Sequence, residues 1–323
     1  MSAKTTIRQL LERGEFIWAP CIYDCLSARC AELVGHNAVL ISSCELEYAM
    51  NGIPAGMYNW EEYIYATERI CNSTTLPVIV DGENGGGTPM QVYRNCQRLA
   101  RAGAMAISIE DTNNGAFAQG YNYASGYGYM DAERWAANVK AAIEAVKGTD
   151  CMIIARTDCK GGGAPQTGAI ANFGGMGLEE AIRRAEMGYE AGAEIVMIQN
   201  ICHADCEDEC REISKRLGAS GRYLFYPDVH ATDGKADCTL EQMQEWGFHL
   251  VSNHVAMRGA ARGMLEFMKE NFKNKNTVYS ENHDIGDLDT LKIGHEFHPF
   301  LFEDYVALDK KYKAYEQELC NKK

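Results

Sequence analysis

Eight times along the chain a short apolar run gives way to an amphipathic stretch, and this alternation constrains the fold more than any other feature. The runs fall at 16–21, 38–42, 77–81, 104–110, 152–156, 194–199, 223–226 and 248–252. They are aliphatic and β-branched without clean apolar–polar alternation, as befits strands buried on both faces. Between them, 61–70, 90–102, 131–146, 178–191, 206–217 and 240–246 repeat apolar residues at spacings of three and four, which predicts helices with one buried stripe. Gly103 and Gly192 stand in Ala-Gly-Ala segments where a helix turns back into a strand. Together these features predict an α/β fold, a (β/α)8 TIM-type barrel.

No Pro- or Ser-rich linker interrupts the first 275 of the 323 residues, so 1–275 reads as one catalytic domain. Residues 276–323 read as a polar loop and a C-terminal helical arm, whose aromatic-rich segment 299–319 should dock on the barrel or on a neighbouring subunit. With 31 Lys and Arg against 45 Asp and Glu, the net charge of −14 argues against nonspecific nucleic-acid binding and against an anionic membrane surface. An anionic substrate therefore needs a local pocket of positive charge. No run approaches the roughly 18–20 apolar residues of a membrane span. The start leads into a helix-like Ile7-Arg8-Gln9-Leu10-Leu11 rather than an apolar leader, so the expected location is the cytoplasm. The 13 cysteines then read as reduced, small core residues.

The chemistry concentrates at strand ends. The third run closes with Asp81-Gly82-Glu83-Asn84-Gly85-Gly86-Gly87 and the fourth with Ile109-Glu110-Asp111. Asp81, Glu83 and Glu110 thus reach one barrel mouth, where uncompensated carboxylates repel and a hard cation between them is the natural resolution. Mg2+ suits this set, or Mn2+ in its place, because it accepts few protein carboxylates and keeps several waters. The glycine triplet would let backbone pass close to a ligand. The fifth run ends in Ala155-Arg156-Thr157-Asp158, and Arg156 offers a planar fork to a carboxylate or phosphate, or else pairs with Asp158 or Glu110 at the rim. Glycine-rich insertions at 115–128 and 161–177 follow strand ends, where barrel enzymes build their sites.

These segments carry a resemblance. Asp81 to Gly87 resembles the D-x-D-x-G-Y-G signature of the isocitrate lyase/phosphoenolpyruvate mutase superfamily, Glu110-Asp111 its E-D motif, and Ala155 to Asp158 its A-R-T-D. Tyr23-Asp24-Cys25-Leu26-Ser27-Ala28, Glu179 to Ala185 and Glu190 to Glu194 resemble further segments in the same order. The resemblance implies a metal-dependent barrel that makes or breaks a C–C or P–C bond beside a carboxylate through an enolate-like intermediate. It makes Asp81 the direct metal ligand, with Glu83 and Glu110 holding metal-bound waters, and Arg156 the group that binds the substrate carboxylate. Ser43 and Cys44 would grip the enolate oxygens. Tyr23, Asn113, Asn122, Gln199 and Asn253 complete the expected substrate-binding set. It also implies a homotetramer whose terminal helices swap between subunits.

The departures bear on the substrate. The loop after the E-D motif lacks the Cys, His, Lys and Arg of the lyases and the Lys and Asn-Ser pattern of the mutases. Tyr121, Tyr123 and Tyr127 become candidate proton donors, and His254, which with Asn253 matches a segment of the mutase branch, is another. Ala55 replaces a family acid, Glu83 stands for Asp and Gly86 for Tyr. Cys202-His203-Ala204-Asp205-Cys206 with Cys210 lacks a C-x-x-C pair and reads as a helix start with buried thiols rather than a zinc site. The chain is expected to be a lyase acting on a small hydroxy- or oxo-acid, with P–C chemistry and an inactive binding or scaffold barrel as rivals. Since no cation can come from the lid, the substrate's far end is expected to be neutral unless Lys160 or Arg258 swings in.

Overall fold

The computed structural model describes residues 4–52, 58–113, 128–161, 175–201, 206–229, 231–232, 235–283 and 302–322. Strands β1 (Ile17–Ile22), β2 (Val39–Ile41), β3 (Val78–Asp81), β4 (Ala106–Ile109), β5 (Met152–Thr157), β6 (Ile195–Ile198), β7 (Tyr223–Tyr226) and β8 (Leu250–Asn253) form a closed parallel barrel. Closure runs through the ladder from Ile17↔Leu250 to Pro20↔Asn253.

Strand alternation sorts the side chains into two sets. Ile17, Ala19, Cys21, Leu40, Ile79, Ala106, Ile154, Met197, Phe225 and Leu250 pack together in the lumen. Their neighbours, among them Ile22, Val80, Ile109, Ala155 and Val251, belong to the cluster that includes the surrounding helices. Helix α1 (Ile7–Glu12) starts from a capping box between Thr6 and Gln9 and adds Ile7, Leu10 and Leu11 to the lumen cluster, so it plugs the N-terminal end of the barrel.

The outer ring is α2 (Cys25–Val34), α3 (Ser43–Asn51), α4 (Trp60–Ser73), α5 (Pro89–Ala102), α6 (Ala132–Val146), α7 (Leu178–Ala191), α8 (Glu207–Leu217) and α9 (Leu240–Glu245). As the Ala-Gly-Ala segments predicted, α5 and α7 end on left-handed glycines, Gly103 and Gly192. Gly188 lets α7 close on the barrel, since a Cβ there would lie 2.5 Å from Ala155 Cβ. In a free helix Gly→Ala gains about 1 kcal/mol. Here Gly188→Ala should instead cost about 1–3 kcal/mol through overpacking against β5. Urea denaturation checks this, and an equal or higher midpoint would refute it.

The chain divides into two compact units, Met1–Met257 and Arg258–Lys323. The sequence boundary at 275 falls at the end of α10 (Ala256–Asn274), which precedes α11 (Val278–Asn282) and α12 (Phe302–Asn321). Helix α10 buries no residue and exposes Met264, Leu265, Met268 and Phe272, while α12 exposes Tyr305, Tyr312, Tyr315 and Leu319. Among the described residues no helix is long and apolar enough to cross a membrane.

Candidate active site

The alternation that fills the lumen with aliphatic residues delivers polar ones at its C-terminal rim. Ile79 leads to Asp81, Ala106 to Ser108 and Glu110, Ile154 to Arg156 and Asp158, and Leu250 to Ser252 and His254. Tyr63 fixes the end of β3 by donating to the Asp81 carbonyl at 2.5 Å. The Asp81 carboxylate accepts from Ser43 Oγ at 3.1 Å, Ser108 Oγ at 3.1 Å, the Glu83 backbone N–H at 3.3 Å and Arg156 Nη1 at 3.3 Å. Its side chain keeps 16% of its surface exposed, whereas that of Glu110 keeps 1%.

Arg156 makes both of the rim pairs that the sequence offered as the alternative to anion binding, with Asp158 and with Glu110. It forms a two-pronged pair with Asp158 (Nε–Oδ1 2.8 Å, Nη2–Oδ2 3.0 Å) and places Nη2 3.1 Å from Glu110 Oε2. Burial opposes its charge, but Asp158, Glu110 and Asp81 outweigh burial and hold the guanidinium charged. Burial pushes the Glu110 carboxyl well above its ordinary range, and Thr112 Oγ1 donates to its Oε1. Glu83, also buried, turns back from the strand end with φ of 50°. Among the described residues Arg156 thus faces three acids, Asp158, Glu110 and Asp81, with Glu83 close to Glu110, an imbalance that a second cation would relieve.

Asp111, one residue on, faces the helices instead. It accepts from Thr157 Oγ1 at 2.5 Å, the Asp158 N–H at 2.8 Å and Arg184 Nη1 at 3.0 Å, with both charged side chains buried. Adjacent acids therefore divide the labour, Glu110 in the lumen and Asp111 bolting β5 and α7 behind it. Burial, then Asp158, raise Asp111 to about 6. The glycine triplet has a reason other than ligand approach. Gly85, Gly86 and Gly87 all take positive φ, and Cβ atoms on the first two would strike Val92 and Gln91.

A second cluster sits on the β8 and β1 side of the rim. His254 Nδ1 lies 3.1 Å from Glu45 Oε1, and Nε2 lies 3.8 Å from both Cys21 Sγ and Asp228 Oδ2. Ser43 and Cys44 open α3, whose N-cap is Ser42. Although accessible, Cys44 lies in the cleft, where desolvation and then Glu83 and Asp81 raise its pKa and keep it a thiol. Gln199 follows β6 on the lumen parity, and its Oε1 has no hydrogen-bond partner among the described residues. Asn253 shares the parity of Val251, which faces the helices, so it stands apart from His254.

Tyr23 lines a groove of about 540 Å3 between α2, α3 and α4 with Leu46, Met50 and Tyr65. Asn113 fastens the ends of the 114–127 insertion through its N–H to Gly128 O at 3.1 Å. Tyr121, Asn122, Tyr123, Tyr127, Ala55 and the Cys202–Asp205 stretch, with its His203, lie outside the described residues. Cys206 is buried with its Sγ 3.4 Å from Tyr226 Oη, and Cys210 is buried behind it.

Sequence reasoning missed Ser108, Glu45 and Asp228. Counting back by two from Glu110 finds Ser108, and Ser42-x-x-Glu45 is a helix-start pattern that marks Glu45. No sequence signal joins Asp228 to His254.

The site and barrel have relatives. The chain is 31% identical over 317 residues to the petal death protein of Dianthus caryophyllus, covering 97% of this chain and 90% of that one. It is 27% identical over 314 residues to 2-methylisocitrate lyase of Aeropyrum pernix, covering 97% and 92%. The structure of oxaloacetate acetylhydrolase with 3,3-difluorooxalacetate superimposes with a TM-score of 0.78 at 20% identity over 97% of both chains, a likeness of fold. Residues 7–272 match the phosphoenolpyruvate phosphomutase family, so the chain belongs to that family of lyases and mutases, within the PEP mutase/isocitrate lyase superfamily.

Proposed function

We propose that this chain is a cytoplasmic lyase, dependent on Mg2+ or Mn2+, that cleaves or forms a carbon–carbon bond next to a carboxylate in a small hydroxy- or oxo-acid through an enolate-like intermediate. The observation that carries the reading is Asp81: a part-exposed carboxylate at the lumen rim, oriented by two serines and an arginine, with buried acids around it. Among the described residues no three His, Cys, Asp or Glu side chains converge into a ready metal cage. That suits an ion bound through one carboxylate and its own waters, and hard oxygen donors are what Mg2+ accepts. Asp81 would hold it, with Glu83 and Glu110 taking hydrogen bonds from its waters. When bound, the metal supplies a Lewis acid for charge developing on the enolate oxygen.

The chain's own groups do the rest. Arg156, kept charged by its acids, receives the substrate carboxylate. The first turn of α3 offers backbone N–H groups of Ser43 and Cys44 to an oxyanion. Lys160 is engaged, donating to the Asn200 carbonyl at 3.0 Å and pairing with Glu209 at 3.0 Å. That supports a neutral far end for the substrate, because a buried carboxylate without a cation costs several kcal/mol.

Calorimetric Mg2+ titration followed by 2-oxoacid release from a panel of hydroxy- and oxo-acids tests the reading. Neutral-tailed acids should win. A tenfold advantage of dicarboxylates in kcat/KM, about 1.4 kcal/mol, would refute the neutral end. Phosphonates in the same panel test P–C bond chemistry, the second reading, which the family's own description favours.

The exposed apolar residues of α10 and α12 support assembly into a homotetramer through these helices. Truncation near residue 290 should yield smaller species in sedimentation, and an unchanged tetramer would overturn this.

A further inference from the structure

The cluster around His254 is used by no step above. Cys21 and His254 both face the lumen, one from β1 within the lumen cluster and the other two residues beyond Ser252 on the same parity. Between β8, which leads to His254, and β3, which ends at Asp81, the ring contains only β1 and β2. The first turn of α3 spans that gap, since Ser43 donates to Asp81 and Glu45, two residues on, receives His254 Nδ1 at 3.1 Å. Glu45 is buried, and its Oε2 has no hydrogen-bond partner among the described residues. A buried carboxylate so placed needs a positive charge beside it. Nε2 points elsewhere, 3.8 Å from Asp228 Oδ2, beyond hydrogen-bond reach, and 3.8 Å from Cys21 Sγ, at best a weak contact.

We propose that Glu45 and His254 form the acid–base dyad of this site. His254 is the catalytic residue that exchanges a proton with the substrate carbon through Nε2, and Glu45 is the positioning residue that fixes the ring through Nδ1. The proposal rests on the lyase reading and supplies the proton from the barrel wall rather than from the lid. In cleavage, the electron pair of the broken C–C bond leaves as the enolate, whose carbon takes the Nε2 proton to form a C–H bond. The ring is left as neutral imidazole with Nδ1–H donating to Glu45, and water restores the Nε2 proton. In bond formation the same steps run backwards, with neutral Nε2 as the base.

Among the described residues three groups face the ring, Cys21 from β1, Glu45 from α3 and Asp228 after β7. Cys21, then Glu45 and Asp228, raise the imidazole pKa against the opposing effect of burial, while burial raises the Cys21 thiol. A raised imidazole is charged at neutral pH. Its contribution to stability is whole below the ordinary imidazole value near 6.5 and is lost as pH rises through the folded value. The rate of proton donation should fall over the same upper range.

The test pairs histidine-ring NMR titration with exchange of the pyruvate methyl hydrogens in D2O containing Mg2+. Glu45→Gln keeps an acceptor for Nδ1–H but removes the charge. It should lower the His254 titration midpoint by about one unit or more and move the high-pH limb of exchange with it. His254→Gln should slow exchange by about 10²- to 10⁴-fold while oxalate still binds within threefold. A merely structural pair would leave the pH limb where it is. Exchange at the wild-type rate in His254→Gln, or an unmoved midpoint in Glu45→Gln, overturns the dyad. Wild type that binds neither Mg2+ nor oxalate overturns the lyase reading instead, and the titration then judges the dyad alone.

Discussion

Asp81→Ala should lower turnover at least a thousandfold, equivalent to about 4 kcal/mol of transition-state stabilisation, and should abolish calorimetric Mg2+ binding. The fold should survive, because Arg156 keeps its two bonds to Asp158 and its contact with Glu110 when Asp81 is gone. Removing one of the three acids around the guanidinium also relieves repulsion among them. The thermal midpoint of the variant should therefore stay close to that of wild type. Wild-type activity that survives EDTA would refute the metal assignment, and an unfolded variant would refute the claim that Asp81 is dispensable for folding.

Arg156→Met should have the largest effect on stability. The side chains of Glu110 and Asp158 are almost fully buried, and methionine fills space without charge. Breaking a buried pair from one side costs about 3–5 kcal/mol, and here two acids lose the same partner. The sign of the pH dependence follows. Without the guanidinium both carboxyls bind protons more readily in the folded protein, so the deficit should shrink from pH 8 to pH 5.5. Urea denaturation at the two pH values checks this. A deficit that stays constant or grows on acidification would show that lost packing, not stranded charge, dominates.

The barrel was legible because each strand is a run of aliphatic residues and each helix carries its own period. Edges were less so. The run 104–110 read as strand throughout, but Ala104 N–H closes the α5 cap on Leu99 O and β4 starts only at Ala106. Helix α3 was missed although Ser42-x-x-Glu45 announces it, because nine residues hold too few apolar positions to show a period. Helix α10 carries an apolar stripe, with Met264, Leu265, Met268 and Phe272 at spacings of three and four, yet buries none of it. Within the site, Asp81, Glu110 and Arg156 were readable as strand-end residues, whereas the threefold engagement of Arg156 was not. Which acids meet a given arginine depends on distances around the ring, and these follow from closure of the barrel rather than from any local segment.

Both glycine-rich insertions leave and rejoin the barrel through fastened stems. Thr112 bridges Tyr129, Asn113 N–H bonds Gly128 O and Met130 N–H bonds Asp111 O at 2.7 Å, while Met176 N–H bonds Cys159 O and Gly177 N–H bonds Lys160 O. Between fixed ends, the entropy of closing a loop grows only with the logarithm of its length, about 0.6 kcal/mol per doubling. The fourteen residues 114–127 can therefore be exchanged for a relative's segment of different length at a cost the barrel tolerates. Selection for a new substrate can act on such a cassette while Asp81, Glu110 and Arg156, rooted in the strands below, stay as they are.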